Sequence, residues 1–574
     1  MKRSGARFQT AKKARNEFPG GGVGSGGALA ALPALLPLLA VFFLFLLPAL
    51  ASLSAGFRTA PGAGLPHAGL PHAALPRSAL SVTLFTLKQA LLSTLLALLL
   101  GLPGAWFGVK RRFLRALTGI PFAMPPVLVV LAFVLFFGRS GWLNRFFMTV
   151  TGAETGPLNI LYRPAAVILA HGFYNFPIVV RLAGDGIAAA RKSWAQAAES
   201  LGASPFRAAL TVVLPIAAPS LLTSSLLVFL YCFTSFAIVL ALGGGPAVTT
   251  VAVEIYRHAR ISMDFRTAGI LAVTETLFSL AVFFLYILAD RAFHRERETG
   301  RAAAGEERPG RETAGSGAAR AGYAALLFLL VLLPLLAIPV QSFLVRSGWR
   351  GAPALSLKNW TASALRVFPA LGRSLFLAAL SASFAALLAL LAAAGAHFAG
   401  EKSLFGRALR LSAALPLVSS GVTLGLGYYL LYGRGAVPSG IVAVGLLAAF
   451  HAVIALPFAF NAVYQGYRDV PAGIARAAAT LGAAPFARLA TVEIPLAAAR
   501  FRTAWAFAAA ISLGELNGVL LIGPDGFETL PVLVYRAAGA YRYGEACAAG
   551  TMLIASCAAA FLLSEKKKEG RFVP

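Results

Sequence analysis

The sequence predicts an all-α polytopic membrane protein of about twelve transmembrane helices, arranged as two repeated six-helix halves. An apolar composition, a series of long apolar runs and an internal repeat predict it. The residues AVILMFWYC make up 58% of the 574 residues, whereas Asp, Glu, Lys and Arg make up only 13%. Because a soluble domain carries roughly 25% charged residues, we expect this chain to lie in a lipid bilayer.

The charge balance excludes one common class of partner. The chain has 50 basic and 22 acidic residues, a formal charge of +28. A nucleic-acid-binding protein collects such charge on a polar domain, but here the basic residues form short clusters between apolar runs, so no nucleic acid is expected. The cysteines Cys232, Cys547 and Cys557 form no C-x-x-C pair. Neither a disulfide framework nor a metal site is expected, and no cofactor.

Twelve apolar runs are long enough to cross the roughly 30 Å of hydrocarbon in a bilayer. A Gly-, Ala- and Arg-rich stretch separates two sets of six and predicts five segments: a basic tail 1–27, a first half 28–290, a flexible linker 291–320, a second half 321–563 and a basic tail 564–574. The runs lie near residues 28–50, 82–108, 117–137, 161–183, 215–242, 268–290, 321–341, 372–398, 409–432, 438–463, 499–523 and 546–563.

Basic residues in short loops indicate the orientation of the spans. Both tails, the linker and the loop at Lys110–Arg115 are rich in Lys and Arg, while most alternate loops are poorer. Both termini and the linker are therefore expected on the cytoplasmic side. The first run, followed by Ala49-Leu50-Ala51, resembles a secretory signal, but it is longer than the usual apolar region of about 7–15 residues, so we expect a retained helix.

A gap-free repeat relates the halves, since adding 280 to a number in the stretch 184–215 gives its counterpart. Each copy predicts a compact helical elbow: a short helix, a glycine that permits chain reversal, a second helix opened by proline and a proline at the next span. Alanines that permit close approach and a phenylalanine that offers an apolar anchor suit docking onto a partner protein. The repeated residues include Ala197, Ala198, Gly202, Phe206 and Pro215, matched by Ala477, Ala478, Gly482, Phe486 and Pro495.

These residues stand at the spacing of the EAA loop, and the chain resembles the permeases of binding-protein-dependent ABC importers in both halves. The resemblance implies a MetI-like fold in a bacterial inner membrane. It also implies two ATP-binding subunits, which dock on the elbows at the cytoplasmic side, and an external substrate-binding protein. Gln196 and Arg476 stand where the motif has its acidic residue, and Glu199 lies one helical turn beyond Gln196.

Two further segments, 232–257 and 527–545, resemble the matching stretches of fused thiamine permeases, which are relatives of ferric-iron permeases. The resemblance therefore implies import of thiamine or its phosphates, with ferric iron as the alternative cargo. No G-x-x-x-x-G-K-[ST] motif is present, so ATP hydrolysis is expected in a partner chain and not in this one.

Ionisable groups inside apolar runs are costly in lipid and mark candidate functional sites. Glu515 lies in the eleventh run near Asn517, its counterpart Ser235 lies next to Thr234, and Glu275 lies in the sixth run. We expect these residues to line a translocation path, where a carboxylate attracts a cationic substrate. Two alternatives are hydrogen bonds between helices and, in a secondary transporter driven by an ion gradient, proton or sodium sites at the two glutamates.

Overall fold

The computed structural model describes residues 35–57, 77–107, 124–243, 245, 248–303, 315–346, 353–400, 403–433 and 440–565. Within these ranges the regular structure is helical, apart from a hairpin in which β1 (Leu344–Arg346) pairs antiparallel with β2 (Pro353–Leu355). The all-α membrane fold is therefore confirmed. The predicted linker 291–320 is helical at both of its ends, since one helix continues to Ala303 and the next begins at Gly315.

The first half is built from long apolar helices interrupted by short ones. A π-helical turn, Phe42–Leu46, lies within the first helix, and further π-helical turns flank the first elbow at Arg191–Ala195 and Ala209–Val213. The helices are α1 (Leu35–Ala55), α2 (Arg77–Phe107), α3 (Pro126–Phe137), α4 (Trp142–Thr151), α5 (Pro164–Ala190), α6 (Gln196–Ser200), α7 (Pro205–Ala208), α8 (Ala218–Phe233), α9 (Ala237–Leu242), α10 (Val251–Tyr256) and α11 (Phe265–Ala303).

The second half repeats this order. Its π-helical turns include Leu489–Glu493, directly after the second elbow. The helices are α12 (Gly315–Leu327), α13 (Leu333–Ser342), α14 (Lys358–Ala399), α15 (Leu404–Ala414), α16 (Gly421–Tyr428), α17 (Ile441–Asp469), α18 (Ala472–Thr480), α19 (Pro485–Arg488), α20 (Ile494–Gly514), α21 (Asn517–Ile522), α22 (Leu530–Gly539) and α23 (Tyr543–Glu565).

Most of the predicted apolar runs correspond to a long apolar helix or to a bent pair of helices in the described part of the chain. Among the described residues, nine helices are long and apolar enough to cross a membrane, and two bent pairs raise the number to eleven. The predicted run 499–523 is not among them, because α20 carries Arg500 and Arg502 among its many alanines. The predicted run 215–242 is also discontinuous, since α8 ends at Phe233 and α9 begins at Ala237.

The first helix of each half packs against the other half. Helix α1 lies against α16 of the second half, and the Tyr428 hydroxyl donates a 2.8 Å hydrogen bond to the Leu44 carbonyl. The reverse contact comes from α12, where the Tyr323 hydroxyl donates to the Leu100 carbonyl at 2.9 Å. The two halves are therefore held together by exchanged helices as well as by their shared interface.

Both elbows lie at the same end of the bundle, here called the elbow face. The first elbow lies beside the end of α2, where Arg191 Nη1 donates to the Trp106 carbonyl at 2.8 Å. The second half starts at this end too, since Tyr323 contacts α2 at Leu100. The chain then crosses to the opposite face in α13 and returns in α14, which ends beside the second elbow at His397.

Small residues permit the close packing of the second half. Helices α14, α17 and α20 meet through buried alanines, as helices in lipid do when their backbones approach closely. The contact cluster contains Ala382, Ala385, Ala452, Ala455, Ala508 and Ala509.

The exchanged helix α1 yields a test of the fold. A Cβ atom at Gly427 would collide with the Pro48 carbonyl oxygen, so Gly427→Leu should overpack the contact between α1 and α16 at a cost of about 1–3 kcal/mol. We expect a melting temperature lowered by several degrees, measured by thermal size-exclusion chromatography in detergent. Gly445→Leu is the control, since a Cβ there meets nothing within 4 Å; equal melting temperatures for the two variants would contradict the packing described.

Candidate functional site

The two elbows have the same hydrogen-bonded turn. In the first, the amides of Leu201 and Ala203 donate to the Ala197 and Ala198 carbonyls at 3.2 and 3.0 Å. In the second, the amides of the residues 280 positions later, Leu481 and Ala483, donate to the Ala477 and Ala478 carbonyls, both at 3.1 Å. The sequence repeat is therefore a structural repeat at atomic detail.

Glycine is required at the reversal of each elbow. Gly202 has φ of +90° and Gly482 has φ of +85°, the left-handed region that residues with a Cβ rarely adopt. Pro205 then opens α7 as predicted, with the Ser204 hydroxyl accepting from the Arg207 amide at 3.3 Å. In each copy the last proline of the motif, Pro215 or Pro495, lies in the first turn of the following helix.

Large apolar side chains project from the elbows into solvent. Leu201 is 89% exposed, Leu481 is 87% exposed and Phe206 is 74% exposed. Glu199 and Arg476 are also exposed, whereas the side chains of Gln196 and Phe486 lie outside the described part of the chain. Two similar apolar projections on one face are unfavourable in water and fit a pair of similar protein partners.

A second group of predicted residues lies where α8 gives way to α9. Ser235 occupies this break, and its hydroxyl lies 2.8 Å from His171 Nε2. His171 Nδ1 lies 3.0 Å from Gln89 Oε1, and Gln89 Nε2 donates to the Cys232 carbonyl at 2.8 Å. Because the amide oxygen only accepts, His171 Nδ1 carries the proton and Nε2 accepts from Ser235. The neighbouring Thr234 hydroxyl bonds within its helix, to the Leu230 carbonyl.

The matching break in the second half contains Glu515. Its Oε1 accepts from the amides of Asn517 and Gly518 at 2.7 and 3.3 Å, so the carboxylate caps the start of α21. Helices α9 and α21 begin 280 residues apart, at Ala237 and Asn517. The predicted correspondence between Ser235 and Glu515 is therefore a correspondence of two helix breaks.

Glu275 has a different environment from Glu515. It is fully buried, and its Oε2 accepts from the Ser420 hydroxyl at 2.7 Å and also from the Thr423 hydroxyl. Its Oε1 has no hydrogen-bond partner among the described residues. Since Glu275 belongs to α11 and both hydroxyls belong to the start of α16, this carboxylate joins the two halves.

The Glu515 break also lies at the boundary between the halves. A Cβ at Gly514 would meet the Pro125 ring at 3.1 Å, just before the start of α3, and a Cβ at Gly421 would meet the Asn517 amide at 2.5 Å. Helix breaks and helix starts from both halves therefore meet at one level of the bundle. Interrupted helices of this kind leave backbone groups that are available to a transported molecule.

A cavity of about 170 Å³ lies towards the opposite face, between the π-helical turn Arg257–Ile261, which follows α10, and the second half. Arg260 lies over the Tyr429 ring, 5.6 Å from its centroid, and Asp525 is part of the same lining. Sequence reasoning did not single out Tyr429 or Gln89. The tyrosines of this cavity, Tyr428, Tyr429 and Tyr432, recur at helical spacing, a pattern that usually indicates packing.

Comparison with known proteins shows the family of the chain. Residues 93–298 match the family described as "Binding-protein-dependent transport system inner membrane component". The chain is 30% identical over 502 residues to "Thiamine transport system permease protein ThiP" of Brucella abortus (strain 2308), covering 85% of this chain and 88% of the relative. The protein of that name from Escherichia coli (strain K12) is 28% identical over 498 residues, covering 84% and 88%.

A shorter match concerns a permease that is named for a different cargo. "Putative 2-aminoethylphosphonate transport system permease protein PhnU" of Salmonella typhi is 35% identical over 167 residues, covering 29% of this chain and 57% of the relative. The near full-length matches extend over both structural halves. The chain belongs to the inner membrane components of binding-protein-dependent transport systems, as a permease whose two halves are fused in one polypeptide.

Proposed function

We propose that the chain is the permease subunit of an ATP-driven importer that moves thiamine or its phosphates into the cytoplasm. The observation that carries this proposal is the pair of matching elbows on one face, each with an exposed leucine, Leu201 or Leu481. Two ATP-binding subunits dock there, which makes the elbow face and both chain termini cytoplasmic. An external binding protein delivers the substrate to the opposite face.

The ATPase subunits are coupled to the translocation path through the direct connection between each elbow and the next helix. Each elbow is joined directly to a broken span, the first to α8 and α9 and the second to α20 and α21. Movement of an elbow therefore shifts the helix that contains the Ser235 or the Glu515 break. Gly202 and Gly482 shape the docking turns, and the residues Ala197, Ala198, Ala477 and Ala478 let the motor surface approach the backbone closely.

The path runs between the halves at the level of the helix breaks. Thr234, Ser235 and Asn517 supply hydroxyl and amide groups there, and the Glu515 carboxylate attracts the positive charge of a thiazolium ring. Glu275 borders the path and holds the halves together through Ser420. No chemical bond in the cargo is changed, so the chain acts as a transport subunit while its partners hydrolyse ATP.

The choice of thiamine rests on the names of the relatives that match along most of the chain. Ferric iron is the alternative cargo. Uptake of radiolabelled thiamine by cells that produce the complete transporter separates the two: inhibition by unlabelled thiamine and not by ferric citrate supports thiamine, and the reverse result supports iron.

The elbows can be tested by changing their glycines. Proline requires φ near −65°, whereas Gly202 and Gly482 have φ of +90° and +85°, so Gly202→Pro combined with Gly482→Pro should distort both docking turns. We expect normal membrane insertion and loss of at least about 90% of the copurifying ATPase subunits. Gly526→Pro, with φ of +76° on the opposite face, is the control and should retain them. A full complement of ATPase on the double variant would refute docking at the elbows.

The charge of Glu515 can be tested without disturbing its hydrogen bonds. In Glu515→Gln the amide oxygen still accepts from Asn517 and Gly518, but the negative charge is lost. Loss of ~1.4 kcal/mol of attraction should lower the initial rate of thiamine uptake by about tenfold, with unchanged assembly of the complex. Glu154→Gln, at an exposed loop position, is the control; uptake at the wild-type rate in Glu515→Gln would remove this residue from the path.

A further inference from the structure

The junction between the second elbow and α20 contains a buried carboxylate. Glu493 ends the π-helical turn Leu489–Glu493, and only 1% of its surface is exposed. Its Oε1 accepts from Arg488 Nε at 2.9 Å. A buried carboxylate needs such a partner, because its desolvation is costly. The charge therefore fixes the last residue of the elbow helix α19 against the start of the next span.

Glu493 and Arg488 also contact the end of the long helix α14. His397, near the end of α14, places its Nε2 3.6 Å from Glu493 Oε2. The Arg488 guanidinium lies over the ring of the neighbouring Phe398, 5.6 Å from its centroid. The His397 ring also stacks on Tyr467 of α17, with centroids 5.5 Å apart. The second elbow is thus connected to α14 through the contact between His397 and Glu493 and through the contact between Arg488 and the Phe398 ring.

The first elbow has no such carboxylate at the matching position. Subtracting 280 from Glu493 and Arg488 gives Val213 and Ala208, which are both buried and apolar. The first elbow contacts α2 through Arg191. The Arg191 guanidinium donates to the Trp106 carbonyl and lies over the Trp106 ring, 5.0 Å from the ring centroid. Because this contact is exposed, it constrains the geometry less than a buried ion pair does.

The other end of helix α14 contacts the loop that precedes α22. It has 42 residues, a length of roughly 63 Å at 1.5 Å per residue. At the opposite face Arg373 Nη1 donates to the Gly526 carbonyl at 3.0 Å, and Arg366 Nη2 lies 3.1 Å from Glu528 Oε2. These contacts hold residues 523–529, here called the outer loop. One helix therefore connects the second elbow with the face to which substrate is delivered.

We propose that Glu493 is a positioning residue that makes the second elbow and α14 move as one unit. Movement of this elbow is transmitted along α14 to the outer loop, whereas the first elbow, with Val213 at its junction, transmits less. The ATP-driven movements of the two elbows therefore have unequal effects on the path. This inference rests on the proposed function, since it concerns how the elbows drive transport.

The test compares transport with ATP consumption. Glu493→Val makes the second junction resemble the first, and the complete transporter is reconstituted in vesicles with its ATPase subunits and binding protein. We expect ATP hydrolysis to continue, while the amount of radiolabelled thiamine transported per ATP falls at least about fivefold. Asp469→Asn is the control. Asp469 is the last residue of α17, two positions after Tyr467, and its ion pair with Arg500 is exposed. The amount of thiamine transported per ATP by this variant should match the wild type.

A second variant separates positioning from stability. Glu493→Val leaves Arg488 without its carboxylate, so Glu493→Val combined with Arg488→Leu removes both charges and should recover the melting temperature. The proposal requires that this double variant still transports little thiamine per ATP. A wild-type ratio in the double variant would overturn it, since the pair would then serve folding alone. Failure of the wild-type transporter to move thiamine would instead contradict the proposed function.

Discussion

Inside a bilayer, every backbone group released by a helix break must find its partner within the protein. This constraint explains why the breaks lie between the halves and away from lipid. The Ser235 break is bordered by the hydrogen-bonded series from His171 to Gln89, and the Glu515 carboxylate satisfies the first amides of α21. The exchanged helices α1 and α12 close the halves around this region. The two helix breaks are compatible with a stable fold because the protein itself supplies these hydrogen bonds.

The duplication gives two halves of one design that carry different polar groups. The turns at Gly202 and Gly482 match in their hydrogen bonds and in φ, which fits the proposed docking of two similar subunits. The buried groups differ: Ser235 corresponds to Glu515, and Val213 corresponds to Glu493. One polypeptide that carries both halves is free to specialise them, whereas a homodimer is bound to symmetry. Unequal roles for the two halves are therefore physically available to this chain.

The sequence predicted the features that depend on local chemistry. The elbows followed from glycine and proline at fixed spacing, and the all-α class followed from long apolar runs. The run 499–523 is less apolar than its neighbours, because α20 carries Arg500 and Arg502 among its alanines. The contact between Glu275 and Ser420, the exchange of α1, and the link from Glu493 to His397 depend on packing between distant segments. No spacing in one sequence specifies such contacts.

We propose that this permease has no source of energy of its own and is moved through its elbows. Uptake of radiolabelled thiamine into vesicles measures this directly. One set of vesicles contains the chain alone, and the other contains the chain with its ATPase subunits and binding protein; each set receives either ATP or an imposed proton or sodium gradient. We expect uptake only in the complete system and only with ATP. Gradient-driven uptake by the chain alone would contradict this proposal and would identify a secondary transporter.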